Sequence, residues 1–260
     1  MNMNVFKITS SLPIHKVVNK VPEITIFFWI IKVLCTTVGE TVADFLNTKL
    51  NLGLTGTTIV MGSLLAIALF LQLKAKKYIP GVYWFTVVLI SVSGTLITDN
   101  LTDNFNVPLS ATTIIFALSL AAIFVLWYLV EKSVSVHKIT TFRREIFYWL
   151  VILSTFALGT ATGDLIAETF KLGYLISAIL FSMMIAAVTL SHFKFKLNSI
   201  ITFWLAYILT RPLGASLGDL LSQPHNVGGL ELGTIITSII FLTAIVVTVV
   251  FVSVKKKQSD

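Results

Sequence analysis

The chain has 260 residues, 56% of them hydrophobic and only 12% charged, with a mean hydropathy of +0.91 and a formal net charge of +7. A soluble domain carries about a quarter charged residues, so this composition excludes a soluble globular protein and leaves little chain for a separate aqueous domain. The positive charge does not make a nucleic-acid footprint either, because it is divided among alternate loops between apolar runs.

In chain order, residues 1–22 are largely polar and read as a short cytoplasmic tail, with no cleavable signal peptide before the first long apolar run. Crossing hydrocarbon takes about 20 apolar residues per helix. Eight segments meet that length: 24–46, 54–73, 82–103, 108–130, 146–169, 172–191, 199–221 and 231–254. Strands of a membrane barrel would be about half as long and would alternate strictly; these runs do neither, so helices are expected.

Fifteen basic residues fall at the termini and in alternate loops, from Lys7, Lys16 and Lys20 to Lys255, Lys256 and Lys257, whereas the intervening loops hold only Lys49 and Lys171. The positive-inside rule then puts both termini in the cytoplasm. The other loops are short turns, marked by Asn51-Leu-Gly53, Asn106-Val-Pro108, Lys171-Leu-Gly173 and Pro224 to Gly229.

One pattern occurs four times. Trp29, Trp84, Trp149 and Trp204 each have a glycine ten residues on (Gly39, Gly94, Gly159, Gly214) and an aspartate fifteen residues on (Asp44, Asp99, Asp164, Asp219). The copies are spaced by 55, 65 and 55 residues. Each holds two spans, so all four insert in the same orientation as parallel repeats about an axis along the membrane normal. The expected fold is an all-α polytopic membrane protein of eight transmembrane helices. Its repeats cover about 23–77, 78–138, 143–197 and 198–254, and residues 255–260 form a cytoplasmic tail.

The first helix of each repeat is the informative one. Offsets ten and fourteen from the Trp give Gly39/Ala43, Gly94/Thr98, Gly159/Gly163 and Gly214/Gly218, the small-x-x-x-small pattern that lets helix backbones approach closely. One residue further round stand Glu40/Asp44, Thr95/Asp99, Thr160/Asp164 and Ala215/Asp219, and a turn later Thr48, Asp103, Glu168 and Gln223. A polar stripe beside a close-packing stripe implies odd helices round a centre, with the nearly uncharged even helices facing lipid. The Trp rings are expected at the cytoplasmic interface. At 1.5 Å per residue the aspartates stand about 22 Å further along, in the outer part of the bilayer.

A carboxylate near hydrocarbon is costly by a few kcal/mol, and four at one repeat position point to a shared site. Clustered carboxylates with no cysteine ligands suit hard cations such as Mg²⁺, Mn²⁺ or Ca²⁺, and mutual repulsion suits proton coupling. The bland reading, exposed acids that end each helix, applies most to Asp103 and Glu168. Arg211, followed by Pro212, falls inside a span, where an arginine usually faces the interior with an acidic partner; it reads as a structural pair, a gate or a counter-ion. Lys32 is expected to snorkel to the cytoplasmic surface. Cys35 is expected to be a buried, inert thiol. No zinc-hydrolase, P-loop, G-x-S-x-G or dinucleotide motif occurs, so neither an enzyme nor a cofactor is expected.

The segments Lys20-Val-Pro-Glu-Ile-Thr, Thr37-Val-Gly-Glu-Thr-Val-Ala-Asp44, Gly159-Thr-Ala-Thr-Gly-Asp164 and Arg211-Pro-Leu-Gly-Ala-Ser-Leu-Gly-Asp219 resemble a prokaryotic family of uncharacterised four-repeat membrane-anchored proteins. The resemblance covers about residues 20–254 and implies a bacterial or archaeal inner-membrane protein; it carries no activity. The functional expectation rests on the residues: a secondary transporter or exporter of a small cation, foremost a divalent metal with proton coupling. Asp44, Asp99, Asp164 and Asp219 are the expected ion ligands, with Glu40, Asp103, Glu168 and Arg211 around them. The partners are lipid and the cation, with no nucleic acid, and a homo-oligomer is compatible but not required. A passive cation channel, a membrane scaffold and an anion carrier using Arg211 stay open as alternatives.

Overall fold

The computed structural model describes residues 19–49 and 52–259. The expected tail residues 1–18, turn residues 50–51 and residue 260 lie outside them. Among the described residues there are eight long helices and no strand: α1 Ile26–Asp44, α2 Gly53–Lys74, α3 Pro80–Asp99, α4 Leu109–Glu131, α5 Phe142–Asp164, α6 Tyr174–Phe195, α7 Ser199–Ser222 and α8 Thr234–Ser259. All eight are long and apolar enough to span a membrane. The protein is an all-α, multi-pass membrane protein. α8 runs on to Ser259, through residues expected to form a tail.

The odd helices start on defined caps. Thr25 and Thr141 accept from the backbone N–H of Phe28 and Arg144, Asn198 accepts from Ile200 and Ile201, and α3 opens with Pro80 at its first position. α2, α4 and α6 start without a side-chain cap, and the outer turns use left-handed residues such as Asn106 and Lys171 (φ 53° and 57°). In three repeats the odd helix passes from α into a single π turn directly after the repeat aspartate: Phe45–Lys49, Asn100–Asn104 and Leu165–Thr169. Such turns occur often at functional sites.

The odd helices form a closed ring, α1 against α3, α3 against α5, α5 against α7, and α7 back against α1. The even helices sit outside it. Between 56% and 72% of each odd span is buried, against 11% to 22% of each even span, as expected for an inner ring and an outer lipid-facing layer. The hairpins differ from a simple pairing, however. α2 packs on α3, α4 on α5, α6 on α7 and α8 on α1, so each even helix leans on the next repeat's odd helix and meets its own partner chiefly near the connecting turn. Each repeat therefore clasps its neighbour, and the last clasps the first.

Ring closure depends on the glycines. A Cβ on Gly39 would lie 2.4 Å from Ser91 Cβ, one on Gly94 2.6 Å from Phe156 Cβ, one on Gly159 2.5 Å from Arg211 Cβ, and one on Gly214 2.4 Å from Thr36 Cβ. Each repeat's offset-ten glycine thus receives the next repeat's offset-seven residue, four times round. Threonines support the same joints: Thr98 Oγ1 donates to the Ala157 carbonyl (3.0 Å), and Thr36 Oγ1 lies 3.2 Å from the Thr210 carbonyl.

A second ring closes on the side that carries the basic loops. Phe28 meets the Trp84 ring (5.6 Å between centroids), Tyr83 meets Trp149 (5.4 Å), Tyr148 meets Trp204 (6.2 Å) and Phe203 meets Trp29 (5.6 Å). Trp84, Trp149 and Trp204 are buried in this girdle, which corrects the expectation of rings lying out at the interface. Aromatic pairs gain from tilted and edge contacts beyond their burial, and each repeat offers one ring to each neighbour. The Tyr83 and Tyr148 hydroxyls hydrogen-bond to each other.

Candidate functional site

Because the odd helices surround one axis, residues four apart on each helix stack as layers along it. An i, i+4 row slants about 26° across a helix surface, so a row that follows a common axis implies helices inclined to it by a similar angle. From the basic-loop end, offset three gives Lys32, Val87, Ile152 and Tyr207; offset seven gives Thr36, Ser91, Phe156 and Arg211; offset eleven gives Glu40, Thr95, Thr160 and Ala215. All twelve are buried. Offset fifteen gives the four aspartates, of which Asp219 is buried and the other three are half-buried.

The four aspartates stand at one level round the axis. Neighbouring members lie within electrostatic reach of each other all the way round, Asp44 with Asp99, Asp99 with Asp164, Asp164 with Asp219 and Asp219 with Asp44, and Glu40 lies within reach of all four. Asp44 Oδ2 also accepts from Gln223 Nε2 at 3.0 Å. They do not form a closed chelate: among the described residues no three His, Cys, Asp or Glu side chains are grouped to hold one metal ion. Asp103 and Glu168 stand further out, exposed in the π turns, where Asp103 accepts from Thr102 (2.9 Å) and Glu168 from Tyr174 (3.5 Å). They form an outer acidic fringe rather than part of the ring.

Below the ring, Arg211 crosses the axis. Its Nη2, whose two N–H groups are shared among three acceptors, lies 2.9 Å from Glu40 Oε2, 2.5 Å from Thr95 Oγ1 and 2.7 Å from Thr160 Oγ1. The offset-eleven residues of the first three repeats therefore meet on one nitrogen from the fourth, whose own offset-eleven residue is the small Ala215. Pro212, which lacks an N–H, lies within an unbroken α7. The acidic partner expected for Arg211 is Glu40, with an ion pair at side-chain exposures of 0% and 8%. Thr95 and Thr160 were visible in the sequence only as places where the acidic stripe lapses.

Lys32 corrects a second expectation. It does not snorkel; it is fully buried, with Nζ 3.9 Å from the Phe156 ring centroid and 4.2 Å from that of Tyr207. Its ammonium finds no hydrogen-bond acceptor among the described residues. The helix turns it inward because offset three belongs to the same i, i+4 row as Glu40, so the lysine stem points at the axis, out of reach of the surface. Lys32, Phe156, Tyr207 and the Tyr83–Tyr148 pair fill the axis between the acidic ring and the basic loops. Two outer grooves, of about 430 and 660 Å³, lie along α1 and its neighbours, and neither is lined by a repeat aspartate.

A multi-pass membrane protein with four tandem two-helix repeats, ringed round an axis and bearing one acid per repeat, is the class that this geometry defines. The chain belongs to the family described as Repeat of Unknown Function (DUF347), which matches residues 27–78, 82–133, 147–197 and 202–258. Each match begins two residues before one of the repeat tryptophans. Comparison with curated proteins and with solved structures gives no match.

Proposed function

We propose that the protein is a secondary transporter or exporter of a small cation, foremost a divalent metal with proton exchange, in a prokaryotic inner membrane with both termini cytoplasmic. The observation that carries this reading is the ring of Asp44, Asp99, Asp164 and Asp219 above Glu40, held on a polar axis whose other end is filled by Arg211, Phe156, Lys32 and the aromatic girdle. An acidic layer toward the short turns with a filled axis beneath it is the order of groups expected of a carrier closed at its basic-loop end. The ring would receive a hydrated ion through its water shell, since its acids are not grouped for direct chelation; Mg²⁺-like ions usually keep several waters. Orientation rests on the basic loops, which lie at the blocked end.

Counter-flow of protons follows from the same chemistry. Carboxylates that repel one another round a ring exchange protons for cations readily, so entry of a divalent ion would expel protons. The test is flux of a panel of divalent ions and of protons in proteoliposomes. Asp99→Asn and Asp164→Asn are expected to lose flux while still folding; wild-type flux in all four single Asp→Asn variants would refute the reading. A passive channel is the second reading, since parallel repeats can surround a pore. The filled axis disfavours it, and a unitary current in a planar bilayer would restore it.

A further inference from the structure

Arg211 makes an incomplete use of its side chain. A guanidinium has five N–H donors, yet Nη2 alone is bonded to Glu40, Thr95 and Thr160, while Nε and Nη1 are buried with no partner among the described residues. A structural arginine normally engages a carboxylate with two parallel bonds; here one nitrogen is held as a point charge. Around that point stand three oxygens, each from a different repeat and a different helix, at 2.5 to 2.9 Å. That is the arrangement of ligands round a cation. The distances exceed the 2.0–2.1 Å of Mg²⁺ coordination and overlap the 2.7–2.9 Å of ammonium hydrogen bonds. One carboxylate with two neutral hydroxyls balances one positive charge.

We propose that Arg211 Nη2 marks an inner cation site made by Glu40, Thr95 and Thr160, which takes a monovalent cation of ammonium or potassium size when the guanidinium withdraws. Arg211 is then a tethered stand-in for that ion. It lies one turn below the acidic ring, so a cation descending from the ring has to displace it, and Lys32, buried below with no acceptor among the described residues, repels any ion that goes deeper. The route by which the ion arrives rests on the transport reading above; the site itself does not, and its test needs no transport.

The experiment is thermal unfolding of purified protein in detergent, in ammonium, potassium, sodium or choline chloride at matched ionic strength. In Arg211→Ala the site is vacated and Glu40 is left buried and unpaired. Ammonium or potassium is expected to raise its melting temperature by about 5 °C over choline once the salt exceeds the dissociation constant about tenfold. The wild type should show no such difference. Adding Thr95→Val and Thr160→Val should cut the shift by about half or more, and adding Glu40→Gln should abolish it. Arg211→Lys gives an independent arm that retains the charge: a compact ammonium should fill a three-oxygen site and keep the melting temperature near wild type. A folded Arg211→Ala protein indifferent to ammonium and potassium overturns the proposal, as does a shift that survives Glu40→Gln. So does an Arg211→Lys protein as unstable as Arg211→Ala in choline. Divalent flux measured separately decides the transport reading, so the two can fail apart.

Discussion

Replacing the four ring glycines by alanine tests the closed ring directly. In a helix interior, Gly→Ala is stabilising by about 0.8–1.0 kcal/mol when the new methyl meets nothing. That condition holds at Gly62 in α2, where no atom lies within 4 Å, and nearly holds at Gly163, whose nearest neighbours are at 3.7 Å. It fails at Gly39 and Gly214, where the methyl would stand 2.4 Å from the Cβ of Ser91 and Thr36 and 2.9 or 3.0 Å from their backbone carbonyl carbons. Carbon atoms rest at about 3.5–4.0 Å, so the helices have to part by about 1 Å, and backbone neighbours cannot rotate aside. Overpacking of this kind costs about 1–3 kcal/mol, which outweighs the propensity gain. Because the ring is closed, a wedge at one joint strains the other three. Gly39→Ala and Gly214→Ala are therefore expected to lower the melting temperature by about 5 °C, and Gly62→Ala to hold or raise it. The readout is thermal unfolding in detergent, followed by size-exclusion to confirm that the cold proteins are monodisperse. Ring variants as stable as Gly62→Ala would show that the odd helices do not touch at these joints.

Three further outcomes follow from buried groups. Glu40→Gln leaves Arg211 buried opposite Lys32 without an anion, and it is expected to destabilise by about 3–5 kcal/mol; the double variant Glu40→Gln with Arg211→Met should recover much of that loss in the same unfolding assay. At the basic-loop end, Lys20 Nζ donates to Glu145 Oε2 at 2.6 Å and to the Leu73 carbonyl at 3.2 Å, while Gln72 Nε2 donates to Glu145 Oε1 at 3.0 Å. This buried cluster ties residue 20 to α2 and α5, and a double-mutant cycle on Lys20→Met and Glu145→Gln should give a coupling of about 1–3 kcal/mol. Cys35 is fully buried on α1, so a water-soluble maleimide should label the folded protein about a hundredfold more slowly than the denatured chain; equal rates would mean that the inner ring is open.

The fold was legible because lipid leaves few alternatives. Eight apolar runs gave eight helices, and the Trp–Gly–Asp spacing placed the repeats in register with the observed ring. That the repeat aspartates share one interior and that Arg211 meets an acid there was legible for a related reason: ionic residues in hydrocarbon need a common interior, and only the odd helices offered one; that the acid is Glu40 and not a repeat aspartate was not legible. Lys32 was misread because the surface lay within reach of its stem by length, whereas its direction is set by the row it shares with Glu40. The π turns and the leaning of each even helix on the next repeat were not legible. Both depend on how two helices meet in space, and a nearly uniform apolar helix such as α4 carries no pattern that says which neighbour it prefers. Thr95 and Thr160 were hidden for a third reason. A threonine in a membrane helix ordinarily satisfies its own hydroxyl on the i−4 carbonyl, as Thr95 does with Ser91 and Thr160 with Phe156, so nothing in the sequence separates the two that also meet an arginine.

The layers along the axis differ in how far they keep the fourfold repeat, and that difference gives the molecule a direction. Where the repeat is kept, at the glycines, the aromatic girdle and the aspartates, the four copies make equivalent contacts. The acidic layer then offers one carboxyl from every repeat, so no wall is singled out by the residues it carries. Where the repeat is broken, at offsets three, seven and eleven, one copy supplies a large or charged group and the others make room for it: Arg211 beside Ala215 and opposite two threonines, Phe156 among Thr36 and Ser91, Lys32 among Val87 and Ile152. A symmetric floor of four identical cations would repel itself and leave a hole along the axis. A single arginine reaching across from one repeat fills that space and pairs with a single glutamate from another. The close-packed joints and the groups that fill the axis thus occupy different positions of the same repeat, offset ten for the glycines and offsets three, seven and eleven for the axis.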